Sequence, residues 1–464
     1  MLNSMNKSCA ECGMCEDGSL CGSMFEESHE ELSKTYSNGI RFTSDAADCA
    51  LPISIDPRNF CRYGCLYCFS ENLMRNKDRN RKVKRGEWPV DKLERFLNRE
   101  YKNPVAQAMY PLLDAGCPVQ LGALGEPFDE AELDTGWAKQ AIPLFVKHKI
   151  PVRISTKGGR VLQRPEYLKL FENNPKQFWF AFSIICNDDD LISQIDLKAP
   201  HTSERLKAMK ALTDIGCKAS LRFRPFLPGV SDTYPGGPAN AWEILIKRAH
   251  QAGARAISFE WIFLNRSLTD NQKKQYDRMF DAMGNPNFGA EWAAESHTSE
   301  TCRRGSRKDK YEMTMKIRDK VHSLGWSFGC SDPHFKEWGD SGACCGFRED
   351  DPWFGRYSRR QMTEVLIQAK RSYDTGRPKM FTYNHWRPEW AHQIKAAACI
   401  SFGDKHTHKL HKDQTFGDTL RNKWNNPEHP RGPEIYFGGV LKAIGKDRNS
   451  NDMVYEYEPY KREE

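Results

Sequence analysis

The chain lacks any run approaching the eighteen or more apolar residues of a membrane span, so no membrane partner is expected. Its opening, M-L-N-S-M-N-K-S-C, holds no apolar stretch of a secretory signal, which makes the cytoplasm the expected compartment. Internal repeats and low-complexity tracts are missing as well. Charge of one sign is barely in excess: 69 Lys and Arg against 62 Asp and Glu leave +7, too little by itself to call for a nucleic-acid partner. What remains is a soluble, globular composition, 28% charged and 39% hydrophobic. At 464 residues it accommodates one large α/β domain with additions, or two to three domains. Cysteine is the residue in surplus, at sixteen. In a reducing compartment such clusters hold metal more often than disulfides.

Three of them, Cys61, Cys65 and Cys68, stand in C-R-Y-G-C-L-Y-C. An x3 then x2 spacing offers thiolates to three corners of a [4Fe–4S] cube and leaves the fourth iron open to a small molecule. A zinc knuckle is the competing reading. Structural zinc takes four ligands, usually in two pairs, and no partner pair follows within the next forty residues. The spacing, with Tyr67 before the last cysteine, resembles the signature of the radical S-adenosylmethionine (radical SAM) superfamily. The resemblance implies that the open iron chelates S-adenosylmethionine. It also implies that reductive cleavage yields a 5′-deoxyadenosyl radical, with the protein positioning it.

From about residue 50, short apolar runs alternate with amphipathic stretches. Strands are expected at 51–55, 118–124, 151–155, 178–185, 218–224 and 254–262. Helices are expected at 90–101 and just after, then at 135–148, 163–173, 201–215 and 239–252. Six β-then-α units in series predict a parallel sheet with helices outside. The fold class is α/β, a partial (β/α)6 barrel, as the radical SAM resemblance also implies. The expected division is a cysteine-rich segment at 1–50, the core barrel at 51–265 and an extension at 266–464. Helices are further expected at 268–283, 313–324 and 362–372.

Sites of such barrels lie at the C-terminal strand ends. Gly125-Glu126-Pro127, after the second strand, resembles the family's Gly-Gly-Glu element, with Leu124 in place of the first glycine. The resemblance implies that this backbone and carboxylate receive the cofactor's ammonium. Ser155, Thr156 and Lys157 end the third strand and offer donors to the methionyl carboxylate or ribose; Ser183 on the fourth strand is a ribose contact by the same likeness. Arg222 and Arg224 share a face of the fifth strand because strand side chains repeat every two residues. An inward arginine needs an anion, either the cofactor carboxylate or Glu260 as a structural partner. The order S-I-I-C-N-D-D-D, A-P-H-T-S-E-R-L-K, the arginine strand and P-F-L-P-G resembles the spore photoproduct lyase-like branch. One departure is plain: that lyase's hydrogen-donating cysteine has no counterpart in Gly122-Ala123-Leu124-Gly125.

Cys9, Cys12, Cys15 and Cys21 suit an auxiliary [4Fe–4S] cluster, with zinc as competitor. Cys330, Cys344 and Cys345 form a possible second metal loop that Cys302 would complete, against the reading of ordinary buried thiols. His406, His408 and His411 read as a polar surface segment rather than a metal site. Directly after the cluster motif comes a basic run that includes Arg79, Arg81, Lys82 and Arg85; it suits phosphate contacts or merely a solvated loop. Arg303, Arg304, Arg307, Lys308 and Lys310 form a second, weaker run. The expected activity is radical SAM modification or rearrangement of a nucleic-acid base, with DNA favoured. An external one-electron reductant such as flavodoxin or ferredoxin would drive it. Peptide modification with auxiliary clusters, and a non-catalytic iron–sulfur protein binding nucleic acid, are the rivals.

Overall fold

The computed structural model describes residues 34–35, 39–43, 48–70, 86–265, 268, 270–293, 302–355, 361–387, 389–392, 415–429 and 431–461. Cys9, Cys12, Cys15 and Cys21, the run with Arg79, Arg81, Lys82 and Arg85, and His406, His408 and His411 lie outside the described residues.

The main sheet has eight strands: β1 (Ile40–Phe42), β2 (Ile53–Ile55), β3 (Val119–Leu121), β4 (Val152–Thr156), β5 (Phe178–Ser183), β6 (Lys218–Phe226), β7 (Ala256–Trp261) and β8 (Ser327–Cys330). They lie side by side in chain order. From β2 to β8 all neighbours are parallel, and only β1 is antiparallel, at the edge. The helices between them are α1 (Val90–Leu97), α2 (Pro104–Asp114), α3 (Trp137–Lys147), α4 (Pro165–Glu172), α5 (Thr202–Asp214), α6 (Ala241–Gln251) and α7 (Arg307–Ser323). The predicted series β2 to β7 is present. Two strands are additional, so the core sheet runs past residue 265 to Cys330.

Strand alternation sorts the two faces. Ile53, Val119, Ile154, Phe180, Leu221, Ile257 and Phe328 enter one large apolar core with the helices. Phe171 of α4 meets Phe178 and Phe180 edge-on, at 4.9 and 5.0 Å between ring centres. Local signals fix the helix starts. Asn103 accepts from the Ala106 amide (2.9 Å) at α2, and the Glu204 carboxylate accepts from the His201 amide (2.8 Å) at α5. The opposite face, by contrast, is polar: Ser54, Gln120, Arg153, Ser155, Ser183, Ser220, Arg222, Arg224, Ser258 and Glu260 alternate with the core residues. A closed (β/α)8 barrel fills this face with branched apolar side chains. Here it carries polar and charged side chains instead.

The sheet curls until its two ends meet the same segment. Asp48, ahead of β2, accepts from Lys336 Nζ (2.7 Å), the Thr363 amide (2.7 Å) and Thr363 Oγ1 (2.6 Å), all beyond β8. Below the strand starts, Ala343, Cys345, Phe347 and Phe354 pack with Leu51, Trp179 and Ala256, forming a floor. The segment after β8 thus closes the barrel's lower end. Asp48→Ala leaves the buried Lys336 ammonium without a carboxylate, held by the Tyr436 hydroxyl and ring, and a loss of about 3–5 kcal/mol is expected. Urea denaturation of both proteins checks this; an unchanged midpoint would mean the ends are held elsewhere.

Candidate active site

The cysteine loop follows β2 and is fastened at the upper, C-terminal end of the sheet. Arg58, three residues before Cys61, is fully buried among Glu87 (2.9 Å), Asp129 (3.2 Å) and Glu132 (3.0 Å), and donates to Thr135 Oγ1 (2.8 Å). Asp129 also accepts from the Arg62 amide (3.2 Å), which ties the loop to the turn after β3. Tyr63 donates its hydroxyl proton to the Phe128 carbonyl (3.2 Å). On the other side the Leu66 amide donates to Ile195 O (3.0 Å) and the Lys198 amide to Tyr63 O (3.0 Å). Gly64, at φ 62°, supplies the left-handed residue that lets the chain reverse just before Cys65. Cys61 is exposed, Cys65 buried and Cys68 half-buried.

Beside the loop stands a buried charge cluster. Lys157 Nζ, from the end of β4, lies 2.9 Å from Cys65 Sγ, 3.4 Å from Asp196 and 4.7 Å from the centre of the Tyr67 ring. Arg205 of α5 reaches Asp196 from the far side at 2.8 Å. Burial acts to raise the Asp196 pKa, but Lys157 and Arg205 outweigh it and hold the carboxyl down to about 2. Its ionised form therefore contributes stability above the ordinary value of 3.8, and the contribution fades as pH falls toward 2. The amount is on the order of 2 kcal/mol. The unfolding free energy of the wild type should drop more steeply between pH 4 and pH 2 than that of Asp196→Asn; parallel curves would contradict this. Burial pushes the Cys65 thiol up, against the pull of Lys157.

Glu126 is buried over the neighbouring strand ends. It accepts from Thr156 Oγ1 (2.6 Å), the Lys157 amide (2.7 Å) and the Phe128 amide (3.0 Å), while burial pushes its pKa up to about 7. The backbone before it is gripped from β2: Asp56 accepts from the amides of Leu124 (2.8 Å) and Gly125 (3.1 Å). A side chain at Gly125 would come to 3.2 Å of the Phe60 carbonyl oxygen, so the glycine permits close approach of turn and cysteine loop. Gly122, at φ 77°, opens that turn.

On the polar strand face Ser155 accepts from Gln120 (2.8 Å) and from Arg153, and Ser183 accepts from Arg222 Nη1 (3.0 Å). Arg224 binds Glu260 (3.0 Å through Nε), which also receives Arg304 at 3.3 Å. The structure thus brings Cys65, Tyr67 and Lys157 together beside Asp196, with Glu126 on the Lys157 amide, while Ser183 and Arg222 lie in register with the end of β4 and Ser155 just before it. Arg224 has the structural partner that the sequence allowed. Asp56, Arg58, Asp129, Arg153, Asp196 and Arg205 are additions.

Cys330, the last residue of β8, packs into the outer core, whereas Cys344 and Cys345 belong to the floor. The side chain of Cys302 is outside what is described. Of the second basic run, Arg304 pairs with Glu260, Arg307 with Glu337 and Lys310 with Asp332 (2.8 Å), while Arg303 and Lys308 are exposed. Among the described residues no three Cys, His, Asp or Glu side chains are gathered as a ready metal shell, the loop's own sulfurs included. The loop still fits a cluster by its donor chemistry: three thiols between fixed anchors, one of them open to the mouth. Among the described residues no helix is long and apolar enough to cross a membrane.

No family model and no curated protein matches the chain. Solved structures do. Spore photoproduct lyase complexed with dinucleoside spore photoproduct aligns at 15% identity and a TM-score of 0.45, over 62% of this chain and 78% of that one. SuiB of Streptococcus suis bound to S-adenosylmethionine aligns at 13% and 0.38, over 61% and 51%. SuiB bound to the precursor peptide SuiA aligns at 16% and 0.31, over 45% and 39%. All three scores lie below 0.5, so the functional reading rests on the motif and the geometry of the site.

Proposed function

We propose that this chain is a radical SAM enzyme. The observation that carries the reading is the C-R-Y-G-C-L-Y-C loop, anchored by Arg58 and Asp129 over the C-terminal mouth of a polar barrel. Cys61, Cys65 and Cys68 would hold a [4Fe–4S] cluster. When bound and reduced, cluster and S-adenosylmethionine together supply a 5′-deoxyadenosyl radical for hydrogen abstraction. The protein's own part is orientation and shielding. Glu126, fixed by three donors, presents a carboxylate at the mouth for the cofactor's ammonium, and Gly125 keeps the backbone close. Tyr67 and Lys157 flank the buried Cys65, keeping water from that side of the site. Ser155, Ser183 and Arg222 offer hydrogen-bonding groups below, with Arg224 held beside them by Glu260.

The substrate in this reading is a nucleic-acid base, DNA favoured, and its support is the basic run with Arg79, Arg81, Lys82 and Arg85, directly after the cluster motif. An external one-electron reductant, a flavodoxin or ferredoxin, completes the system, and Cys9, Cys12, Cys15 and Cys21 would carry an auxiliary cluster or zinc. The test replaces the four basic residues by glutamine. DNA affinity should fall with a shallower dependence on salt, since each lost phosphate contact lowers the slope by roughly 0.9. 5′-Deoxyadenosine formation in the wild type should rise on adding DNA. Binding that ignores the substitutions, with formation indifferent to DNA, would move the substrate to the peptide class.

A further inference from the structure

The lumen carries more positive charge than its own residues neutralise. Arg153 is 2% exposed, and its Nη1 is spent on Gln120 (3.1 Å) and Ser155, while Nε and Nη2 are buried without a hydrogen-bond partner. Arg222, half-buried on the strand after next, gives Nη1 to Ser183, and its Nε is likewise buried without a partner. Neither guanidinium has a carboxylate at ion-pair distance among the described residues. The neighbouring pair Arg224 and Arg304 shares one carboxylate, Glu260. Cys345 at the floor, hydrogen-bonded by Cys344 and facing Arg153 and Arg224, ionises more readily than a free thiol. Counting it as an anion still leaves four guanidiniums against two negative groups.

Leaving a charge buried and unpaired costs several kcal/mol, and two like charges together add repulsion. Burial, Arg224 and Arg153 pull the Arg222 pKa down to about 9, the mark of a cation lacking its anion. The cofactor does not resolve this. S-adenosylmethionine would bring one carboxylate against a sulfonium and an ammonium, and its net positive charge would be offset by the anionic three-thiolate cluster, so the pair would leave the arginines' excess where it was.

We propose that Arg153 and Arg222 form an oxyanion site inside the barrel that takes a phosphoryl group of the substrate. Gln120, Ser155 and Ser183 orient the two guanidiniums by accepting from Nη1 of each, and the unspent Nε and Nη2 of Arg153 with the Nε of Arg222 present donors that match phosphate oxygens. The inference deepens the proposed function, because it makes the lumen the substrate chamber and its occupant a phosphorylated one.

The test uses the full chain and inorganic phosphate as probe, read by thermal unfolding and titration calorimetry, with acetate as a parallel arm. Phosphate should raise the wild-type melting temperature in proportion to its occupancy. Arg222→Gln and Arg153→Gln should each weaken phosphate binding at least tenfold. Arg222 is half-buried, so Arg222→Gln carries the test if the Arg153 variant does not fold. Equal phosphate affinity in wild type and Arg222→Gln would overturn the proposal. So would loss of S-adenosylmethionine binding with phosphate binding intact, which would give the arginines to the cofactor's carboxylate. Acetate binding as tightly as phosphate would overturn the phosphoryl assignment. Phosphate binding needs no cluster, so absence of radical chemistry would sink the proposed function and leave this result standing.

Discussion

Cys65→Ala is expected to lose the visible iron–sulfur absorption after anaerobic reconstitution and to reduce 5′-deoxyadenosine formation to the background of reductant alone. Cys65 is the buried member of the three, pinned between the Lys157 ammonium at 2.9 Å and the strand-like contact with Asp196. With two thiols left, the loop has one corner too few to retain a cluster whose fourth iron is already unligated. Melting temperature serves as the control, because alanine fills most of the cysteine's volume in a site that already tolerates a half-buried neighbour. A variant that keeps both colour and product would remove Cys65 from the cluster.

The second large effect is on stability. Arg58→Met should cost about 3–5 kcal/mol, because Asp129 and Glu132 are both fully buried and would be left without their shared cation. Against a net stability of about 5–15 kcal/mol for a domain, that is a large fraction. Burial already pushes both carboxyls up, and Arg58 is what opposes it. The Arg58→Met, Glu132→Gln double variant should recover part of the loss by removing one stranded charge. Urea denaturation gives both numbers. A loss below about 1 kcal/mol, the scale of an exposed pair, would show that Arg58 is not the loop's anchor.

Much of the barrel is legible in the sequence because its outer strand face is aliphatic and aromatic without interruption. Phe178, Phe180 and Phe182, or Leu221 and Phe223, announce a strand whichever way it faces, and helices such as Leu206, Met209 and Leu212 repeat at helical spacing. β8 is not legible: S-F-G-C is four residues with a glycine, and its place in the sheet comes from pairing with β7 rather than from any local pattern. The cluster motif is legible because three cysteines lie within eight residues. Its anchors are not, since Arg58 meets Asp129 and Glu132 more than seventy residues on, and nothing in the spacing of a lone arginine marks that encounter. The run from Arg303 to Lys310 misleads for the same reason. Glu260, Asp332 and Glu337, the partners of Arg304, Lys310 and Arg307, come from β7 and from the segment after β8, so three internal ion pairs look like part of a phosphate-binding surface. Arg153 is legible in principle: V-R-I-S-T places it on the face of Ser155, and period-two reading of β4, two strands from β6, predicts a second inward guanidinium.

The measurement that bears most directly on the central claim is made without any substrate. The protein is reconstituted anaerobically with iron and sulfide, reduced, mixed with S-adenosylmethionine, and the 5′-deoxyadenosine formed is quantified against time. A radical SAM enzyme gives slow, cluster-dependent formation that disappears in Cys65→Ala. A filled, reducible cluster that yields no 5′-deoxyadenosine would contradict the account and leave an iron–sulfur binding protein in its place.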